Sequence, residues 1–268
     1  MHSVKLALLG LFEYFLGVTA TPLFQNHGTT SGWDSFNHEN KGTVTQVDNV
    51  SYEPSTSLKM IQTYDSSWTG RYHSEAIKTN VYTVGDQGFY GFAFRLHSEW
   101  DTSSPQTFNV AQTIANLATN EHNTCGDDWI PSMMMWVEGS QLRTRRKGNN
   151  MCGTNGDSKW TTGYDYEEYT VGTIQPGVWN KVVIQASWQS DATGFFKVWL
   201  NGTKKVEEFN VITTYLDASK KGHFQFSVGL YANSWHDQGK LVGSGDRQLW
   251  IDEVGIGSTF ADADPDQW

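Results

Sequence analysis

The chain predicts an all-β fold, a sandwich or a barrel, and three observations point there. About a dozen short strand-like segments follow one another between turn residues, with almost no apolar spacing at the helical period. The stretch from Phe195 to Val206 sets Asn201-Gly202 between two alternating segments, the pair a type I′ hairpin turn favours because both central residues take positive φ. Aromatic residues make up 14% of the chain, with 12 Trp and 11 Tyr, and flat side chains suit the pleated surface of a sheet.

Taken in order, Thr43 to Val47, Ser57 to Tyr64 and Arg71 to Lys78 are each bounded by Gly, Pro, Asp or Asn. Phe89 to Leu96 follows Gly85-Asp86-Gln87-Gly88, and Thr107 to Ile114 follows Pro105. The stretch from Ala111 to Ala118 is the one place where helix competes with strand. Ser132 to Val137 and Gln141 to Arg145 flank Gly139-Ser140, whereas Tyr164 to Tyr169 reads as a solvated or subsite loop. Val178 to Trp188 follows Pro176-Gly177, Gly194 to Leu200 and Lys205 to Phe209 flank the Asn-Gly turn, and His223 to Tyr231 and Arg247 to Ile256 complete the set. No Pro-rich linker and no fixed-period repeat interrupts them, so residues 21–268 read as one domain.

Residues 1–20 read as a secretory signal: His2 and Lys5 precede the apolar run Leu6 to Val18, and Val18-Thr19-Ala20 supplies the small residues of a cleavage site. No other stretch is long and apolar enough to span a bilayer. Export suits Cys125 and Cys152, both in loop-like sequence, whose disulfide would stabilise the fold by about 3 kcal/mol. Asn49-Val50-Ser51 and Asn201-Gly202-Thr203 have the form of glycosylation acceptors. A net charge of -10 argues against nucleic acid as a partner, and means that a polyanionic substrate must meet a locally basic site. The expectation is a secreted monomer with no membrane or nucleic-acid partner.

Strand parity sorts the polar faces. Arg71, His73 and Glu75 fall on one side of their segment, as a substrate-facing row or as a solvated face with a cross-strand ion pair. In His223 to Tyr231, Phe224, Phe226, Val228 and Leu230 face a core, and Tyr231 shares the other face with Gln225, Ser227 and Gly229, as a site residue or as an ordinary surface tyrosine. Arg143 and Arg145 share a face with Gln141, followed by Arg146 and Lys147; this is an anion-binding strip or a solubilising hairpin end. Gln112 shares parity with Val110 and Ile114 and is either a bonded core amide or an amide aimed at a ligand.

The Gly-x-Ser-x-Gly elbow, the phosphate-binding Gly-rich loop, the His-Glu-x-x-His zinc helix and the alternating acids of sandwich glycosidases are all missing from the sequence. What remains is His, Tyr, Gln and Arg. That set suits β-elimination on a uronic acid, where the carboxylate is neutralised, the C5 proton removed and O4 protonated as it departs.

Arg71 to Glu75, Gln112, Gly177-Val178-Trp179-Asn180-Lys181 to Trp188, Val198-Trp199-Leu200-Asn201-Gly202 and Val228-Gly229-Leu230-Tyr231 come in the order seen in jelly-roll polysaccharide lyases. The chain resembles fungal glucuronan lyases (polysaccharide lyase family twenty) and, more distantly, the heparin lyase I type. The resemblance implies a β-jelly-roll sandwich whose concave sheet binds an acidic polysaccharide. It implies catalytic roles for His73, Gln112 and Tyr231, with Arg71, Arg143, Arg145 and Trp235 expected to bind substrate. It also implies a structural calcium, for which Asp252 is the one ligand suggested. The competing readings are a non-catalytic carbohydrate-binding sandwich and a glycoside hydrolase.

Overall fold

The computed structural model describes residues 22–103, 106–116, 129–149, 164–215, 223–237 and 245–268. The expected signal peptide and the expected Cys125–Cys152 pair lie outside the described residues. Within them the chain forms, in order, β1 (Phe24–Asn26), β2 (Ser35–His38), β3 (Thr43–Val47), β4 (Ser57–Thr63), β5 (His73–Thr83), β6 (Gln87–Leu96), β7 (Thr107–Asn116) and β8 (Trp129–Glu138). There follow β9 (Gln141–Asn149), β10 (Tyr164–Thr173), β11 (Trp179–Ser187), β12 (Gly194–Leu200), β13 (Thr203–Val211), β14 (His223–Tyr231), α1 (Asn233–Asp237), β15 (Asp246–Gly257) and α2 (Phe260–Ala263).

The strands form two antiparallel sheets packed as a jelly-roll sandwich. One runs β13-β12-β11-β6-β15-β4-β3 with β1 paired to β15; the other runs β10-β9-β8-β7-β14-β5-β2. Most sheet neighbours are distant in sequence, so strands crossing between the sheets hold the halves of the chain together. Asn201 and Gly202 take φ of 50° and 76°, as the type I′ turn requires.

The core lies between the inner faces. Tyr90, Phe92, Phe94 and Leu96 of β6 meet Phe224, Phe226, Val228 and Leu230 of β14, all fully buried or nearly so. The Phe226 ring centroid is 4.9 Å from that of Tyr90 and 6.4 Å from that of Phe92. Burying one such ring stabilises the fold by about 2–3 kcal/mol.

Three expectations change. The segment from Tyr164 to Tyr169 is not a loop but edge strand β10, paired with β9 from Tyr164↔Asn149 to Thr173↔Gln141. Its aromatic and β-branched content fits a pleated surface, and its runs of acids face arginines across the ladder. The Ala111–Ala118 ambiguity resolves toward strand through Asn116. Strand β5 begins at His73 rather than Arg71, so parity does not govern Arg71.

Gly229 marks a tightly constrained point of the sheet beside His73 and Glu75. Its φ is 143°, and a Cβ there would lie 2.4 Å from the Ser74 carbonyl oxygen and 2.5 Å from Met60 Sδ. Glycine alone tolerates that backbone at that approach. Gly229→Ala is expected to destabilise the protein by about 2 kcal/mol or more, read from the urea midpoint, with an m-value unchanged from wild type.

Candidate active site

The outward face of the seven-stranded sheet carries the polar residues that parity singled out. Strand β14 lies between β5 and β7, so Tyr231 stands opposite His73 on one side and opposite Asn109 on the other. Gly229 faces Glu75, and Ser227 faces Gln112.

A bulge decides which residues of β7 join this face. The β7–β8 register shifts between Asn109 and Ala111. Val110 and Ala111 therefore both enter the core cluster, while Asn109 and Gln112, three residues apart, pair outward with Trp136 and Met134. Parity in the sequence had grouped Gln112 with Val110; the inserted residue breaks that grouping.

His73 is the hub. Its Nδ1 lies 2.7 Å from Glu39 Oε2 and its Nε2 lies 3.8 Å from Glu75 Oε2. Its ring stacks on that of Tyr231, with centroids 3.9 Å apart and planes inclined by 26°. Gln112 Nε2 donates to Glu75 Oε1 at 2.9 Å and to Oε2 at 3.1 Å. His73, Gln112 and Tyr231 are all less than a tenth exposed and occupy one neighbourhood.

Charge follows from that arrangement. Burial would push the His73 imidazole down, but the Glu75 charge and the bonded, charged Glu39 outweigh it and raise its pKa. Glu75, wholly buried, is raised by desolvation although His73 and Gln112 pull it down. Glu39 is desolvated too, yet its hydrogen bond and charge pairing with His73 leave it lowered. The imidazole thus sits between two carboxyl groups that both favour its protonated form. A raised histidine contributes stability fully present below its unfolded pKa and lost as pH rises through the folded value.

The face continues as a groove over β8, β9 and β10. Arg143 lines it, with guanidinium nitrogens 2.9 Å from Glu138 Oε2 and 2.9 Å from Glu168 Oε2, and its carbon 5.6 Å from the Trp136 ring centroid. Arg145 also lines it, 5.5 Å over the Tyr166 ring. Arg146 points to the other side, buried and bonded at 2.6 Å to Asp165, so it is a structural ion pair and not a hairpin-end solubiliser. Lys147 is likewise buried. Arg71 is an exposed loop residue beside the hub, close enough for its charge to act on both Glu39 and His73.

Trp235 requires correction as a substrate-binding residue. It is 3% exposed and packs edge-on against Tyr64, Tyr72 and Phe108. The short helix α1 starts two residues before it and turns its ring inward, which strand-like spacing from Tyr231 could not foresee. The aromatic residues on the groove are Trp136 and Tyr166 instead, and the unbroken apolar run Met133 to Val137 gave no alternation by which Trp136 could be found. Glu39 had no sequence signal, since it reaches His73 from a turn 34 residues away.

Asp252 is fully buried, accepting from the backbone N–H of Tyr52 at 2.8 Å and of Glu253 at 2.9 Å. Burial outweighs those bonds and lifts its carboxyl to about 7. No cluster of three or more His, Cys, Asp or Glu side chains placed to hold a metal occurs among the described residues. A calcium here would therefore depend on main-chain oxygens. One is at hand: a Cβ on Gly28 would lie 2.4 Å from the Thr56 carbonyl oxygen and 2.6 Å from Asp252 Oδ1. These oxygens, on a carboxyl whose ionised form is disfavoured without a counter-charge, fit a hard cation.

The polysaccharide lyase family model matches residues 25–255, and the chain belongs to that family. Among solved structures it is similar to the endo-β-1,4-glucuronan lyase of the fungus Trichoderma reesei, at 46% identity over 92% of this chain and 100% of that one, with a TM-score of 0.84. A cellulose-induced protein, Cip1, matches at 16% identity over 88% of this chain and 97% of that one, with a TM-score of 0.50. A carbohydrate esterase from a Shiga toxin-encoding bacteriophage matches at 11% identity over 90% and 99%, with a TM-score of 0.51; these last two share the fold alone. No curated protein matches the chain.

Removing one of the carboxylates should release the imidazole. Glu39→Gln is expected to lower the His73 titration midpoint, followed by NMR of the ring protons, because one of the two anions that hold its proton is gone.

Proposed function

We propose that this lyase cleaves a β-1,4-linked glucuronan by β-elimination, with Tyr231 both removing the C5 proton and returning it to O4. The observation that carries the reading is His73, held between Glu39 and Glu75 and stacked 3.9 Å from Tyr231. The 46% identity to a fungal glucuronan lyase supports the substrate.

The geometry decides the role of each group. His73 Nδ1 is bonded to Glu39 and its Nε2 faces Glu75, so both ring nitrogens are turned to carboxylates and neither is placed to take a proton from a sugar. Tyr231, stacked on that ring, is then the base. The C5–H electrons form the C4=C5 double bond, the C4–O4 bond breaks, and O4 leaves with the proton that Tyr231 has just taken. One residue serves both steps because, in β-1,4-glucuronate, the C5 proton and O4 lie on the same side of the ring. An epimer with these groups on opposite sides would need a second proton carrier.

Residues 1–20 support export, in keeping with a substrate outside the cell. Asp252 and the Thr56 carbonyl would hold a structural calcium, which when bound supplies charge compensation to that buried carboxylate and no chemistry on the sugar.

Tyr231→Phe is expected to fold normally and to lose about 10³-fold in the rate of unsaturated-uronate absorbance on polyglucuronate. Full activity in that variant would refute the mechanism. Reducing sugar released by wild type without that absorbance would identify a hydrolase, and binding with no cleavage a lectin-like sandwich. For the cation, the sign is explicit: a carboxyl at about 7 when folded against 3.8 as its ordinary value opposes folding as pH rises between them. Calcium at pH 8 should raise the Tm of the metal-free wild type and leave Asp252→Asn unchanged.

A further inference from the structure

We propose that Asn109 is the amide that binds the substrate's uronate carboxylate, on a groove floor built largely from neutral donors. The proposal rests on the lyase reading and names a residue that reading lacks.

Asn109 is 0% exposed, yet both its Oδ1 and its Nδ2 lack a hydrogen-bond partner among the described residues. Buried amides are almost always satisfied, because an unpaired one bears its whole desolvation cost. This one lies on the groove and is the cross-strand neighbour of Tyr231 on one side and of Trp136 on the other. Trp136, 7% exposed, presents an unpartnered Nε1–H on the same groove. Arg143 adds an unpartnered Nε–H, and Asn233 an unpartnered Oδ1. Three unused N–H donors beside two unused carbonyl oxygens match a carboxylate, which only accepts, flanked by hydroxyls, which do both.

Two other candidates for the carboxylate are already engaged. Gln112 Nε2 donates to both oxygens of Glu75. The guanidinium ends of Arg143 are held by Glu138 and Glu168, which offset its charge. Asn109, the cross-strand neighbour of Tyr231, keeps an unengaged amide. A sugar placed with its C5 over Tyr231 carries its carboxylate one strand away, where Asn109 stands.

The test compares polyglucuronate with its methyl ester. Asn109→Asp replaces the donor by an anion of the same shape. It should cut kcat on the free acid by about 100-fold, with the ester affected far less, so that the acid-to-ester preference inverts. Trp136→Phe, which removes one N–H and keeps the ring, should raise KM on the acid several-fold and leave the ester unchanged; it serves if Asn109→Asp fails to fold by near-ultraviolet circular dichroism. Equal losses on acid and ester in both variants would show a structural role and overturn the assignment. So would activity in Asn109→Asp within threefold of wild type on the acid, with Gln112→Ala inactive. Those results leave the lyase reading standing, whereas a wild-type chain that forms no unsaturated product on any uronan overturns both.

Discussion

The pairing of β5 with β14 is the constraint on which the site depends. It places Tyr231 opposite His73 and Gly229 opposite Glu75, so a phenol, an imidazole and a carboxylate meet without any loop to position them. Backbone hydrogen bonds on both sides of β14 hold that register, and the buried Phe224, Phe226, Val228 and Leu230 lock it from beneath. A slip of one residue would send those rings to solvent and Tyr231 into the core. Packing of the sandwich and placement of the chemistry are one interaction seen from two faces.

Electrostatics then fixes the state of the parts. Burial alone would push the His73 imidazole toward its neutral form; here Glu75 and Glu39 outweigh it and raise its pKa. Farther along the groove the pattern is compensation. Arg143 carries two glutamates, and the chain as a whole has a charge of -10. A strongly cationic groove would hold a polyanion whether or not it were cut. Donors without net charge recognise the carboxylate by geometry and let the shortened chains leave, a division of labour consistent with the proposed reaction.

The substrate face also carries the irregularities of the sheet. The bulge at Val110 turns Gln112 outward beside Asn109, and the positive φ of Gly229 lets β14 approach β5 closely beside the stack. The same bulge sends the consecutive Val110 and Ala111 into the core, so one inserted residue serves both faces.

Alternation, turn residues and aromatic content determined on their own that the protein is all-β, a sandwich or a barrel, and placed His73 and Tyr231 on polar strand faces, because parity is a local property of a strand. The Asn-Gly hairpin was legible for the same reason. What the tertiary structure alone decided is whatever depends on distant segments or an inserted residue. Glu39 reaches His73 from another turn, the bulge brings Gln112 out to where Glu75 captures its amide, and α1 takes Trp235 into the core. Periodicity says which way a side chain points along its own strand; it holds no information about which strand lies next to it, and the chemistry here is made between strands.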